Sequence, residues 1–156
     1  MITFRTSAPT LAVCLMAFAS IMQTPVRAEQ PAFESQRIQG VAIGGYDVVA
    51  YIHRWNDVPG DPAITLEQGG VTWRFAEESH RDMFKSNPDL YAPQFGGYCA
   101  YSLGTGVLAP ADPTTWSIDN GMLFLFSDST LRTKWQYDMP THYRKAFAKW
   151  PAILKK

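Results

Sequence analysis

The run Phe84-Lys-Ser-Asn87-Pro88-Asp-Leu-Tyr91-Ala-Pro93-Gln-Phe95-Gly96-Gly97-Tyr98-Cys99-Ala100 organises this 156-residue chain. Asn87-Pro88 ends a helix, because a proline ring disfavours helical geometry in the residue before it. Three aromatics then pass through a proline-stiffened turn, and two glycines let the backbone approach its neighbours closely just before a cysteine. Upstream, Glu77 to Lys85 is predicted to be helical, with acids in the first turn to suit the helix dipole. His80, Met83 and Phe84 fall on one face of it. Before that helix comes a predicted hairpin, Ile64 to Glu67 and Val71 to Phe75, joined across Gly69-Gly70. Val71, Trp73 and Phe75 share one face of its second strand, Thr72 and Arg74 the other.

Working outward, Gly44-Gly45-Tyr46-Asp47 reads as a turn entering a strand. Val48 to His53 is mostly apolar on both alternating faces, which predicts a buried strand. Gly104 to Pro113 is a loop rich in glycine and proline. A second hairpin is signalled by Thr115 to Ile118, Asp119-Asn120-Gly121 and Met122 to Phe126, since Asn-Gly supplies the positive φ angles of a tight turn. Asp128 or Ser129 can cap a helix carrying Leu131 and Trp135, which Met139-Pro140 breaks. Thr141 then caps a further helix whose stripe of Tyr143, Ala146, Phe147 and Trp150 packs onto the sheet, and Pro151 stops it. No internal repeat and no second domain is legible. These elements predict a small α+β domain, antiparallel hairpins against a motif helix and C-terminal helices.

The first 28 residues carry the signs of an export signal. Arg5 gives a positive start, Leu11 to Met22 is almost wholly apolar, and Pro25-Val26-Arg27-Ala28 places small residues before Glu29. That apolar run is short of the roughly 20 residues a membrane span needs. The expected layout is a signal peptide over 1–28, a loosely ordered lead-in over 29–40 and one domain over 41–154, in a periplasmic or secreted setting. Residues 29–156 hold 12 basic and 14 acidic side chains, a net of −2, which recommends neither nucleic acid nor an anionic surface as partner. Arg132, Lys134, Arg144, Lys145 and Lys149, interspersed with polar residues, read as solvated helix faces. Cys99 is the one thiol beyond the predicted signal, so an internal disulfide is ruled out there.

The chain resembles the exported, single-domain branch of the YHS domain family. The likeness rests on Gly45-Tyr46-Asp47-x-Val49-Ala50-Tyr51, Trp73-Arg74-Phe75-Ala76 and the Phe84 to Ala100 run. It continues through Trp116-Ser117-Ile118 and Trp150-Pro151-Ala152-Ile153, covering roughly Val41 to Leu154. The resemblance implies a small α+β domain and an association with heavy-metal handling. Family members usually carry cysteines just after the strand matching Trp73 to Phe75, where this chain has Ala76, Glu77 and Glu78.

Three chemistries are open to these residue types. Cys99, His80, His53 and Asp47, with Met83 as a thioether, offer donors suited to copper or zinc, because soft sulfur selects Cu(I) and imidazole serves Cu(II) and Zn(II). Alternatively Cys99 is a thiol nucleophile with a histidine base and Asp47 as orienter. In the third reading Cys99 is a small core residue, Asp47 caps a turn through its own side chain, and the protein is a structural or partner-binding domain. The leading expectation is a non-enzymatic binding protein for a metal ion or small ligand, with Cys99, His80, His53 and Asp47 as candidate ligands.

Overall fold

A computed structural model describes residues 40–153, so the predicted signal peptide and nearly all of the lead-in lie outside the described residues. Six helices and two antiparallel hairpins make up a small α+β domain. In chain order they are α1 (Val48–Arg54), β1 (Asp61–Gln68), β2 (Val71–Phe75), α2 (Glu78–Ser86) and α3 (Pro88–Tyr91). There follow α4 (Ala100–Thr105), β3 (Asp112–Asp119), β4 (Met122–Phe126), α5 (Ser129–Tyr137) and α6 (Met139–Ile153).

The chain builds the same unit twice, against the expectation of no internal repeat. A tight turn with positive φ at Ile43, Gly44 and Gly45 leads through Tyr46 to Asp47 and α1; an equivalent turn at Phe95, Gly96 and Gly97 leads through Tyr98 to Cys99 and α4. Three successive positive φ angles explain the paired glycines, since side chains with a Cβ rarely adopt that geometry. Asp47 N–H then bonds to Val58 O at 2.8 Å, and Cys99 N–H to Ala109 O at 3.0 Å. Each hairpin next opens on an Asp-Pro step whose carboxylate accepts a backbone N–H two residues on, Ala63 for Asp61 and Thr114 for Asp112, both at 2.8 Å. Both hairpins are irregular just past that step, between Asp61 and Thr65 and between Asp112 and Trp116. A nine-residue helix closes each unit, α2 in the first and α5 in the second.

Both hairpins match the sequence expectation. Val71, Trp73 and Phe75 are buried while Thr72 and Arg74 are only partly so. The β3–β4 turn has φ of 51° at Asn120 and 75° at Gly121, as an Asn-Gly hairpin requires. The core joins the inner faces of the hairpins to Phe84, Leu103, Trp135 and Ala146 from the helices. Ring contacts knit each unit: Trp73 and Phe75 meet Phe84 at 4.6 and 5.5 Å, Phe124 and Phe126 meet Trp135 at 5.0 and 5.8 Å.

Three expectations need correction. Residues Val48 to Arg54 form a helix, not a strand. Val48, Val49, Ala50 and Tyr51 are all fully buried, so no helical period survives in the sequence, and β-branched residues there mimic a strand. The Asp47 cap on the first turn outweighs that propensity. At the other end, α6 starts at Met139 and runs through Pro151 to Ile153. Pro140 sits in its first turn, where a missing N–H costs nothing, and Pro151 falls in its last. Finally, Phe147 does not pack onto the sheet but is largely exposed.

Tyr51 ties the two units together by donating its hydroxyl to Pro113 O at 2.7 Å. Burial, helped by the nearby Asp57 carboxylate, pushes its phenol far above its usual value of about 10. The unfolded chain therefore sheds this proton first as pH rises. The contribution of Tyr51 to stability is complete below about pH 10 and declines above it. Urea midpoints measured across the alkaline range are expected to fall less steeply in Tyr51→Phe than in the wild type; parallel curves would refute this assignment.

Candidate functional site

Asp47 is a fully buried carboxylate that uses both oxygens. Oδ1 accepts from Val49 N–H at 2.9 Å and Ala50 N–H at 3.3 Å, capping α1. Oδ2 accepts from Ala76 N–H at 2.8 Å, at the end of β2. The same oxygen lies 2.6 Å from Nδ1 of His80, a buried residue in the first turn of α2. A carboxylate only accepts, so Nδ1 carries the proton and donates it to Asp47. Nε2 of His80 is then the atom left to act as base or ligand. Three elements, α1, β2 and α2, thus converge on one aspartate, which fixes both the ring plane and the tautomer of His80.

Around this pair lie side chains from α1, α2 and α3. The His53 ring centre is 6.4 Å from that of His80, and His53 Nε2 is 3.4 Å from the hydroxyl of the buried Tyr91. Glu77, the residue before α2, has a carboxylate oxygen 4.0 Å from His80 Nε2. Glu77 also pairs with Arg54, one residue beyond His53. Hydrogen bonds from Arg54 and then Ser79 hold the Glu77 carboxyl below its ordinary range. The result is a buried Asp47–His80 dyad whose outer edge is framed by an imidazole, a phenol and an ion pair.

Of the residues singled out in the sequence, Asp47, His80 and His53 come together and Cys99 does not join them. Cys99 is fully buried in the second unit, bridged to Leu125 of β4, and its sulfur accepts from Ser102 Oγ at 3.3 Å. Among the described residues no imidazole is hydrogen-bonded to it. Met83 packs against the core, in keeping with a structural role. Among the described residues no group of three or more His, Cys, Asp or Glu side chains is disposed to hold a metal ion. The contributions of Glu77 and Arg54, and of Tyr91 as a partner of His53, were not foreseen. Arg54 lies next to His53 and Glu77 three positions before His80, but only the fold brings the two pairs together.

The two units compare directly at this point. Asp47 corresponds to Cys99 as the residue before the short helix, and His80, third in α2, corresponds to Leu131, third in α5. Cys99 makes no side-chain cap to α4. The second unit therefore folds to the same plan with a thiol and an aliphatic side chain where the first has a carboxylate and an imidazole. In comparisons with known proteins, the chain matches no family model, no curated protein and no solved structure.

Proposed function

We propose that this is an exported, non-enzymatic binding protein of the YHS type whose ligand centre is the Asp47–His80–His53 cluster. The observation that carries this reading is the unequal equipment of the two units. The frame folds without a dyad in the second unit, so the architecture alone does not demand a buried carboxylate–imidazole pair in the first. Burying such a pair costs desolvation energy that apolar side chains would avoid, which favours a chemical role for it.

The ligand class that suits the donors is a metal ion with a preference for imidazole, Cu(II) or Zn(II). His80 would supply Nε2, with Asp47 as the outer partner that ligating histidines commonly have. Two imidazoles on one ion, with bonds of about 2.0–2.1 Å, have ring centres roughly 5–6 Å apart. The observed 6.4 Å is therefore within a small rotation of the exposed His53. Cys99 fits a structural role better, since it is sealed in the core of the other unit.

Calorimetric titration of the purified chain with Cu(II) or Zn(II) tests the assignment, with the imidazole NMR signals as a second readout. Uptake of one ion is expected, lost in His80→Ala, weakened in His53→Ala and unchanged in Cys99→Ser. Asp47→Asn is expected to weaken it about 10–100-fold. Undiminished uptake by folded His80→Ala, or loss in folded Cys99→Ser, would overturn the reading.

A further inference from the structure

The balanced total charge conceals a sharp division. Residues 41–128 hold eleven acidic and four basic side chains, a net of −7, whereas residues 129–153 hold five basic and one acidic, a net of +4. The five cations are Arg132, Lys134, Arg144, Lys145 and Lys149, all on α5 and α6. The same two helices expose large aromatics. Tyr137 is 93% and Phe147 59% accessible, and Phe147 stacks on Tyr143 with ring centres 5.8 Å apart. Pro140, Arg144, Phe147, Ala148 and Pro151 are all exposed at helical spacing, a single stripe along α6. Fifteen residues make this helix about 22 Å long.

We infer that the outer face of α5 and α6 docks on an anionic phospholipid surface. On the α6 stripe Arg144 stands beside Phe147, while Lys145 and Lys149 lie on the flank toward Gly104 and Gly106 and Lys134 lies over the Tyr101 ring. Apolar rings are thus bordered by cations, as at the boundary between headgroups and acyl chains. Lysine and arginine reach the phosphates there while the rings enter the apolar layer. Among the described residues no helix is long and apolar enough to cross a membrane, so the contact is peripheral. The opposite charge of the rest of the domain sets the orientation. Residues 41–128 are repelled by the anionic surface, so α5 and α6 face it and the Asp47–His80 dyad, carried by the first unit, belongs to the repelled part. This inference is independent of the ligand reading.

Sedimentation of the protein with phosphatidylglycerol vesicles, against phosphatidylcholine vesicles and against polyphosphate, decides the matter. Binding to phosphatidylglycerol alone is expected, weakening as salt rises. The Lys134→Glu/Arg144→Glu double variant should lose at least about tenfold in partition. Phe147→Ser, which keeps the charge, should lose about fivefold. Both changes are at exposed positions, and circular dichroism reports whether the fold is kept. Several results would overturn the inference: no binding to phosphatidylglycerol at low salt, equal binding to phosphatidylcholine, or polyphosphate binding as tight as lipid with no effect of Phe147→Ser. Self-association without vesicles that is abolished by the same charge reversals would instead assign the face to a second copy of the chain.

Discussion

Asp47→Ala is expected to lower the unfolding free energy by about 3–5 kcal/mol, adding a lost helix cap to buried donors left unpaired. Asp47 accepts two N–H groups of α1, one at the end of β2 and the Nδ1 proton of His80, and it is fully buried. Alanine leaves Val49 N–H, Ala76 N–H and the His80 Nδ1 proton without that acceptor, while Ala50 N–H keeps the Asp47 carbonyl. The cap alone is worth roughly 1 kcal/mol, and each buried donor left unpaired costs about 1–3 kcal/mol more. Urea denaturation at neutral pH gives the number directly. His80→Ala should cost less, because the carboxylate keeps its three backbone donors. An Asp47→Ala loss below about 1 kcal/mol would mean that the knot is not a stabilising feature, since even a single cap is worth that much.

Trp135→Ala should cost a similar amount, about 3–5 kcal/mol, by a different mechanism. Trp135 is fully buried between Phe124 and Phe126 of β4 and stacks on His142 of α6 at 6.3 Å. Its Nε1 also donates to Asp119 Oδ2 at 3.4 Å. Removing the indole leaves a cavity at the place where α5, α6 and the second hairpin meet. Trp135→Phe keeps most of the volume and should retain more than half of the lost stability. For a domain with about 5–15 kcal/mol in all, the alanine variant would be near its threshold at 37 °C. Differential scanning calorimetry of both variants tests the ranking, and equal melting temperatures would contradict it.

The hairpins and the longer helices were legible because their signals are local. Alternation in Val71 to Phe75, Asn120-Gly121 at a turn and Asp128 at a helix start each specify geometry within a few residues. Helix α1 was not legible, because burial on every side erased its period and its decisive contact is a side chain of the preceding turn. The repeat shows in the sequence as Gly-Gly-Tyr before each short helix, Asp-Pro at each hairpin, and Phe75 and Arg81 matched by Phe126 and Arg132. Elsewhere Val71-Thr-Trp-Arg-Phe75 corresponds to Met122-Leu-Phe-Leu-Phe126, a pair with little identity. At the site, the fold brings Asp47, His80 and His53 into one neighbourhood. Cys99 lies apart from them, buried in the second unit, a separation that no spacing could expose. The charge division was present in the composition by segment, but its five cations read as solvated helix faces, and only their shared placement on α5 and α6 gave it a location.

Two seats with one floor plan but different furnishings make the molecule its own control. Transplanting the polar pair through Cys99→Asp and Leu131→His asks whether chemistry at the first seat is portable or depends on its rim. If the graft acquires the behaviour of the original, the surrounding residues are incidental; if it stays inert, Tyr91 and the Arg54–Glu77 couple are part of what makes the first seat work.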